Sequence, residues 1–456
     1  MTGSQHLIET KDASFILDCG LFQGRREVEA KRNRIFGVNP SSVDFAILSH
    51  AHLDHCGRLP QFVHAGFRGP IYATAATAEL CNLLLEDVAK TEEYQAAKAR
   101  RTTASKTQQY KSDTPLFTEK DAKQVAKQFR IIKYNKIVDL PGNVSIRLRD
   151  AGHILGSSIV ETWSEENGRR HHVVFTGDIG QSGAPIIRDP DFPDDATFLI
   201  SESTYANRNH EPLSKSIRRF EKIIIKAHRH RSHILVPAFA IGRTQSLIYI
   251  LNELVENERV PIIPVAIDSP LAIDMTKIFK QHRECYDDET WKLIQSGDMP
   301  LDFKGLRNVE YQDDSDLLSS RSGPIMIVAG SGMMNGGRIL RHLFRRIEDS
   351  KTTLLVVGFQ APGTLGHRIV HGSRNIRIYG RSKHVRAKVQ MITGFSSHAD
   401  QTELRRHLQS LRRHPPRQVF CVHGSPSACK ALTKMVRKDL RCPAVAPVIG
   451  QRFRLA

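Results

Sequence analysis

The 456-residue chain is long enough for two or three domains with substantial cores. Its formal net charge of +18 favours polyanionic partners, above all nucleic acid. The seven cysteines include no C-x-x-C pair, which argues against a disulfide framework or a zinc knuckle and indicates reduced thiols. Without a signal peptide or an apolar run of roughly 20 residues, the sequence predicts a soluble cytoplasmic protein with no membrane partner.

Short apolar runs that stop at a polar or glycine residue recur along the chain. Runs of four to six such residues predict buried strands. The polar group past each strand end would lie where the loops of layered α/β proteins usually assemble sites. In chain order these runs are FILDCG ending at Asp18, FAILSH at His50, HVVFTGD at Asp178, TFLISES at Glu202 and QVFCVHG at His423.

Residues 77–130 are expected to be helical and polar. The middle of the chain that follows them predicts a separate α/β domain. Further strands are then predicted by HILVPAF near 233, PIIPVAI near 261, PIMIVAG near 324 and TLLVVGF near 353. Residues 244–258 carry apolar side chains at helical spacing, so strands and helices alternate as in a mostly parallel sheet. We expect domains at 1–203, 204–370 and 371–456, the last completing the first.

The stretch SHAHLDHCG places three histidines and an aspartate in six positions after a predicted strand: His50, His52, Asp54 and His55. Neutral imidazoles and a carboxylate suit a borderline cation such as zinc. Four ligands on one loop exceed what a single tetrahedral site readily shares, so the spacing predicts two metals. A lone histidine is usually a satisfied polar residue, but this density argues against that interpretation. Other strand ends and loops offer His153, Asp178, His398 and His423 as further ligands.

Several motifs, taken in order, resemble those of a known family. HAHLDH, AGHILGS and TGD resemble the metallo-β-lactamase fold hydrolases. The later motifs resemble the β-CASP branch, which processes nucleic acids: SESTYANR, PAFAIGRTQ, DSPLA, GSGMMNGGR, QAPGTLG, GFSSHAD and VHG. The resemblance covers nearly the whole chain. It implies a four-layer αββα metallo-β-lactamase domain of the α/β class, interrupted by an α/β β-CASP domain.

The resemblance also implies two zinc ions per chain. The first zinc would be held by His50, His52 and His153, the second by Asp54, His55 and His423, and Asp178 would bridge the pair. Asp18 matches the family's first motif and is expected to organise the ligand loop without binding metal itself. Cys56, beside the cluster, is expected to be a small buried filler.

A phosphodiester also needs its leaving oxygen protonated, and a carboxylate beside an imidazole can tune a proton donor. Glu202 and His398 match the first two special motifs of the branch, although either alone could be structural. The resemblance makes His398 the acid and Glu202 its orienting partner, and Asp54 completes the predicted catalytic set. At the third special motif RNA-processing members carry histidine and DNA-repair members typically valine, so His423 favours RNA.

A glycine-rich segment, AGSGMMNGGRILRHLF, leads into a predicted helix. Glycines permit close backbone approach, and helix N-termini attract phosphate oxygens. Ser331, Gly332 and Arg338 are therefore candidate ligands of an RNA phosphate, although the same residues could form only a tight strand-to-helix turn. Arg243 in AIGRTQ is a weaker candidate of the same kind, as is the TLGHR segment.

The sequence thus predicts a two-zinc ribonuclease that acts on single-stranded RNA, endonucleolytically, and leaves 5′-phosphate and 3′-hydroxyl ends. The family makes a homodimer reasonable. Three alternatives stay open. A hydrolase of small esters, thioesters or lactams is disfavoured by the charge and the large insertion, and a DNA nuclease by His423. A non-catalytic RNA-binding relative is disfavoured because every ligand is kept. Sequence does not decide between endonucleolytic and 5′-to-3′ exonucleolytic action, nor name the RNA.

Overall fold

The computed structural model describes residues 3–23, 32–102, 114–166 and 168–455. Within these ranges the strands, in chain order, are β1 (His6–Glu9), β2 (Ser14–Leu17), β3 (Phe45–Ile47), β4 (Ile71–Ala73), β5 (Phe129–Ile131), β6 (Val138–Leu140), β7 (Val144–Asp150), β8 (Ser158–Glu166), β9 (Arg169–Phe175), β10 (Phe198–Glu202), β11 (His233–Pro237), β12 (Val265–Asp268), β13 (Leu306–Asn308), β14 (Ile325–Ala329), β15 (Thr353–Val356), β16 (Asn375–Ile378), β17 (Arg381–His384), β18 (Lys388–Met391), β19 (Gln418–Val422) and β20 (Ala444–Val445).

The helices in the same ranges are α1 (Leu53–Cys56), α2 (Leu59–His64), α3 (Ala75–Thr102), α4 (Glu119–Gln128), α5 (Leu213–Arg229), α6 (Arg243–Glu256), α7 (Pro270–Gln281), α8 (Asp288–Gln295), α9 (Gln312–Leu318), α10 (Ile339–Arg346), α11 (Leu365–Val370), α12 (Gln401–Ser410) and α13 (Pro426–Asp439). Short 3₁₀ turns lie at Pro40–Ser42 and Arg283–Cys285. None of these helices is both long enough and apolar enough to cross a membrane.

The chain divides into two compact units. The first consists of Met1–Ala184, Arg188–Asn209 and His398–Ala456, and the second of Pro185–Ile187 and His210–Ser397. The domain boundaries expected at residues 203 and 370 stay predictions.

The first unit contains two sheets that share a core. One sheet has the order β1-β2-β3-β4-β5 and the other β20-β19-β10-β9-β8-β7-β6. Because successive residues of a strand face opposite sides, Phe15 and Leu17 enter the core while Ile16 is buried on the other face. Phe175 and Ile200 meet them from the second sheet.

Helices cover the outer faces of both sheets. Strands β2 to β5 run parallel, and α1 to α4 lie in the connections between β3, β4 and β5. On the far side of the seven-stranded sheet, Leu404 of α12 and Leu432 of α13 pack in one cluster with Val174 and Leu199 of the strands. The result is the αββα layering that the motifs predict. Part of the helical prediction for 77–130 appears as α3 and α4, and residues 103–113 lie outside the described chain.

The second unit is built on a parallel sheet with the order β13-β12-β14-β11-β15-β18. Four of its strands, β11, β12, β14 and β15, are those predicted near 233, 261, 324 and 353, and α6 is the predicted helix at 244–258. A core of Leu235, Ile327 and Leu354 packs against Leu343 of α10 and Ile369 of α11. A separate two-stranded ribbon, β16 and β17, packs on the same core.

Candidate metal centre

The ligand loop follows β3 and is fixed by the backbone of residues just before β1 and just after β2. Ser4 N donates to the Asp54 carbonyl at 2.8 Å, and Cys19 N donates to the His55 carbonyl at 2.7 Å. Gly20 lies so close that a Cβ there would stand 1.6 Å from the Asp54 oxygen, so only glycine fits. Cys56, next on the loop, is fully buried. These contacts hold the loop backbone from which His50, His52, Asp54 and His55 project.

Four side chains converge to form a first group of donor atoms. His52 Nδ1 lies 3.2 Å from His50 Nε2 and 3.2 Å from His153 Nε2. Asp178 Oδ2 lies 3.5 Å from His50 Nε2 and 3.6 Å from His153 Nε2. The donors reach this point from the ends of β3, β7 and β9, as the strand-end pattern predicts. Together they could hold one metal ion.

A second group forms beside the first and shares a carboxylate with it. His55 Nε2 lies 3.2 Å from His423 Nε2, and Asp54 Oδ2 lies 3.3 Å from the same His423 atom. Asp178 Oδ2 lies 3.3 Å from His55 Nε2. One carboxylate oxygen of Asp178 therefore faces both groups, which is the position of a bridging ligand.

The spacing of these atoms can be compared with that around zinc. With bonds of about 2.0 to 2.1 Å, a tetrahedral zinc places its ligand atoms about 3.3 to 3.4 Å apart. The separations in the two groups run from 3.2 to 3.6 Å. Hydrogen bonds among neutral imidazoles can pair only some of these converging nitrogen and oxygen atoms, whereas a metal cation can accept electron pairs from all of them. The donor set and its geometry fit two divalent metal ions.

Asp18 lies behind this centre and contacts His55 directly and His50 through Ser49. Its Oδ2 lies 2.6 Å from His55 Nδ1, and its Oδ1 accepts from Ser49 N at 2.8 Å. Ser49 Oγ donates to Asp18 Oδ2 at 2.9 Å and lies 3.0 Å from His50 Nδ1. A carboxylate that fixes the outer nitrogen of a ligating histidine orients the ring and raises its basicity. This placement suits the organising role that the motif predicts for Asp18.

Glu202 and His398 form a pair at the edge of the metal centre. Glu202 is fully buried, and its Oε1 lies 3.3 Å from His398 Nδ1. The same oxygen accepts a hydrogen bond from Ile179 N at 2.7 Å. Its Oε2 accepts from Thr204 N at 3.1 Å. His398 Nδ1 is 4.0 Å from Asp178 Oδ2, and the His398 side chain is 20% exposed. The pair thus combines a fixed carboxylate with an imidazole that solvent can reach.

Burial and charge set the protonation of the histidines. Burial lowers the pKa of His50 to about 3 and of His52 to about 4. Both rings are therefore neutral near pH 7, the form that binds metal. Burial would also lower the pKa of His55, but the Asp178 and Asp18 carboxylates outweigh it and raise that pKa well above its usual value. A metal ion bound at His55 would therefore displace a proton.

Two groups near the centre have pKa values that neighbouring charges control. Burial would raise the pKa of Asp178, but His423, His55 and His398 hold it well below its usual range. Burial would lower the pKa of His398, but Glu202 and then Asp178 raise it. The bridging position is thus anionic, and His398 keeps a proton more readily than an ordinary histidine.

The predicted RNA-contacting residues lie in the second unit and have partners there. Ser331 Oγ accepts from Asn335 N at 3.2 Å, and the Gly332 carbonyl accepts from Gln360 Nε2 at 2.9 Å. Arg243 is the first residue of α6.

Arg338 makes a larger set of internal contacts. It donates to Asp268 Oδ1 at 2.7 Å and to the carbonyl oxygens of Val309 and Glu310 at 2.9 and 2.6 Å. A role of Ser331, Gly332, Arg243 and Arg338 in binding RNA stays a prediction.

Two side chains at the centre were not anticipated. Ser49 links Asp18 to His50, and Thr204 Oγ1 donates to the His423 carbonyl at 3.1 Å while lying 3.3 Å from His423 Nδ1. Thr204 follows Glu202 by two residues but contacts a loop 219 residues later. Their nearness to motif residues was the one available signal.

Comparison with known proteins gives matches along most of the chain. Three family models match: the metallo-beta-lactamase superfamily at residues 2–153, the Beta-Casp domain at 244–369, and the Zn-dependent metallo-hydrolase RNA specificity domain at 382–447. These segments contain the ligand loop, strands β12 to β15 of the parallel sheet in the second unit, and both late histidines.

Similar curated proteins include nucleases and termination factors. A ribonuclease of Thermus thermophilus is 35% identical over 96% of this chain and 93% of its own length. A transcription termination factor, FttA, of Methanosarcina mazei is 31% identical over 95% of this chain and 67% of its own. An RNase J-like protein of Methanocaldococcus jannaschii is 27% identical over 97% and 94%. With the two donor groups of the first unit, these matches show that the chain belongs to the β-CASP branch of the metallo-β-lactamase superfamily and is a metal-dependent RNA nuclease.

Proposed function

We propose that this chain is a zinc-dependent ribonuclease with two metal ions that cuts single-stranded RNA endonucleolytically and leaves 5′-phosphate and 3′-hydroxyl ends. One observation carries the proposal: two groups of donor atoms share Asp178 Oδ2, and the Glu202–His398 pair lies beside them. The residues that would hold the first zinc are His50, His52 and His153, and those for the second are Asp54, His55 and His423.

The chemistry divides between the metals and the chain. Two zinc ions, when bound, would lower the pKa of a water towards neutrality and supply positive charge opposite the phosphate oxygens. The chain keeps the ligands in place, since Asp18 fixes the outer nitrogen of His55 directly and that of His50 through Ser49. This arrangement limits reorganisation of the ligands while charge develops on the phosphate.

His398 is the proposed proton donor to the leaving 3′-oxygen. When water attacks phosphorus, the bond to the 3′-oxygen breaks, and that oxygen needs a proton to become a hydroxyl. Glu202 lies at His398 Nδ1 and is itself held by the Ile179 and Thr204 amides, so it orients the ring and favours its protonated form. Donors of this kind contribute about 10² to 10⁴ in rate.

The proposal extends to the form and location of the enzyme. His423 occupies the motif position at which RNA-processing members carry histidine, which favours RNA over DNA. The cysteine pattern favours a reducing cytoplasm, and we propose a homodimer by likeness to the family. Sedimentation of the metal-replete protein at micromolar concentration tests the dimer, and a monomer under all conditions rejects it.

One experiment tests the central claim. Metal-replete protein is incubated with single-stranded RNA labelled at either end, and with DNA of the same sequence, and the products are mapped. We expect internal cuts with 5′-phosphate and 3′-hydroxyl ends in RNA and little cleavage of DNA. Products that shorten only from the 5′ end would replace the endonucleolytic mode with an exonucleolytic one. Equal cleavage of DNA would reject the RNA preference.

A further inference from the structure

The second unit carries a strongly basic segment, residues 374–388, which we call the basic ribbon. It contains β16, β17 and the first residue of β18, with Tyr379 and Gly380 in the turn between the paired strands. Six lysines and arginines lie in these 15 residues, at positions 374, 377, 381, 383, 386 and 388. The sequence holds no aspartate or glutamate between Asp349 and Asp400. The ribbon itself therefore carries no negative side chain, although Glu348 pairs with its Lys383.

One face of the ribbon anchors it to the core of the second unit. Ile376 and Ile378 are 2% and 3% exposed and belong to that core. Their cross-strand partners Lys383 and Arg381 lie over the ring of Phe344 in α10, at 4.4 and 6.0 Å from its centroid. The apolar and cation–π contacts of this face account for the fold of the ribbon.

The other four cations make no such cation–π contact in the described chain, and one of them, Arg386, lies close enough to Glu348 to help lower its pKa. Arg374, Arg377 and Lys388 are exposed, and in the described parts of the chain no carboxylate forms an ion pair with any of them. Lys383, by contrast, pairs with Glu348 at 2.8 Å. Tyr379 at the turn is 58% exposed, and its ring centroid lies 5.8 Å from that of Phe344. The exposed positions of the ribbon thus offer three cations without a carboxylate partner and one partly exposed aromatic ring.

An uncompensated cluster of like charges weakens the folded state unless an anion binds it. Alternating cations and an aromatic ring suit a single-stranded nucleic acid, because the cations track phosphates and the ring stacks on a base. We propose that the basic ribbon is an RNA-binding surface, additional to the residues that hold the metals, on which Arg374, Arg377 and Lys388 contact phosphates and Tyr379 stacks on a base. The inference rests on RNA as the substrate of the proposed function.

The test neutralises three ribbon cations together, in Arg374→Gln/Arg377→Gln/Lys388→Gln. Affinity of the metal-replete protein for a fluorescein-labelled, phosphorothioate-linked single-stranded RNA is measured by anisotropy across a salt series, and a gel checks that the RNA stays intact. We expect affinity to fall about tenfold at low salt. The slope of log affinity against log salt should lessen by about 2, since each lost phosphate contact removes about 0.7 for a single strand.

A matched control removes the same charge elsewhere. Lys430, Lys434 and Lys438 are exposed along α13, and the triple change to glutamine lowers net charge equally. We expect it to change RNA affinity less than threefold. If both triple variants weaken binding alike, or if the ribbon variant binds as the parent does, the ribbon is not an RNA site.

Stability separates binding from folding. Removal of repelling charges should leave the melting temperature of the ribbon variant unchanged or raised, whereas a structural role predicts a fall. Should the triple variant fail to fold, Tyr379→Ser alone must still weaken RNA binding, and unchanged affinity there rejects the proposal. Cleavage is scored separately. A parent protein that binds RNA through the ribbon but never cuts it rejects the proposed function and not this surface.

Discussion

At the scale of single residues, His398 and His423 occupy different positions although both come from late loops. His423 Nε2 lies within 3.3 Å of donor atoms of both His55 and Asp54, among the second group. His398 lies 3.3 Å from Glu202 and farther, at 4.0 Å, from the bridging Asp178 oxygen. Asp178, Glu202 and His398 also lie close enough to form a third group of possible donors. We propose nevertheless that His423 holds a metal and that His398 transfers a proton.

We therefore expect the alanine variants of these two histidines to differ in the amount of zinc that they bind. His398→Ala should keep both zinc ions and lose about 10² to 10⁴ of the cleavage rate, because only a proton donor is removed. His423→Ala should lose metal and activity together. Metal analysis by mass spectrometry and single-turnover cleavage rates measure both.

A substrate with an activated leaving group sharpens the comparison. Such an RNA needs no protonation and should restore much of the rate in His398→Ala but not in His423→Ala. If His398→Ala loses zinc while His423→Ala retains it, the two roles must be exchanged.

Single residues also show which parts of the candidate site can be predicted from the sequence. Asp18, His50, Asp178, Glu202 and His423 could be identified because an apolar run followed by a polar residue is a local signal. Ser49 and Thr204 could not, because their roles depend on hydrogen bonds between distant loops.

Arg338 shows the same limit in the second unit. Its sequence position suggests phosphate binding, but its contacts with Asp268 and two carbonyl oxygens depend on the packing of β12 and α10. Asp268 in turn contacts His342 Nε2 at 2.6 Å within a buried polar network. No local sequence pattern predicts that network of hydrogen bonds.

At the scale of elements, strands β7, β8 and β9 together hold a buried carboxylate, Glu161. Glu161 is fully buried and accepts from Arg147 Nε at 2.5 Å and from Arg149 Nε at 2.8 Å, while His172 Nε2 lies 3.2 Å away. Burial would raise the pKa of Glu161, but the side chains of His172, Arg147 and Arg149 lower it to about 2. The carboxylate is thus much more acidic in the folded chain than its unfolded value of about 4.3.

This depressed pKa predicts a stability difference that depends on pH. The contribution of Glu161 is fully present above pH about 4.3 and is lost as pH falls towards 2. Glu161→Gln should therefore lower the free energy of unfolding by about 3 kcal/mol at pH 7, where it leaves Arg147 without its carboxylate and removes one of the two carboxylates of Arg149. The difference from the parent should narrow near pH 3. Urea unfolding of metal-free protein at both pH values measures it.

A control on the same strand guards this prediction. Glu165 is exposed on β8, and Glu165→Gln should change stability by less than about 0.5 kcal/mol. A Glu161→Gln deficit that is equal at pH 7 and pH 3 would mean that packing, not charge, explains the loss.

The loop after β9 gives a second prediction at this scale. Gly180 lies against the loop that carries His153, and a Cβ there would stand 1.6 Å from the Gly152 carbonyl oxygen. Gly180→Ala should displace His153 and reduce both bound zinc and melting temperature. Gly37 has no atom within 4 Å of an added Cβ, so Gly37→Ala should leave both unchanged. Normal zinc content in Gly180→Ala would show that the loop adjusts without moving His153.

At the scale of the whole molecule, the metals should stabilise the fold as well as act on RNA. The donor residues extend from His50 to His423 and connect loops of both sheets of the first unit, so ions bind the folded chain and not the unfolded one. A ligand at a thousand times its dissociation constant adds about 4 kcal/mol. Thorough chelation should therefore lower the melting temperature by several degrees, and added zinc should restore it.

Asp178→Asn supplies the control for this effect. With the bridging charge removed, the variant should bind metal weakly and respond little to the chelator. The two-metal assignment would be contradicted if chelation left the melting temperature of the parent protein unchanged. It would also be contradicted if the parent protein kept full activity after chelation.

The order of the donor residues along the chain has a consequence for synthesis. The first group is complete once Asp178 has been made, but the second lacks a histidine until residue 423, and the proposed acid at 398 also comes late. On the proposed two-metal assignment, the nascent chain would therefore carry only a partial site through most of translation, and we expect it not to cut the messenger RNA from which it is made. We expect nuclease activity to begin only when synthesis of the chain is almost complete. The order of the ligand residues along the chain would then itself delay the onset of activity.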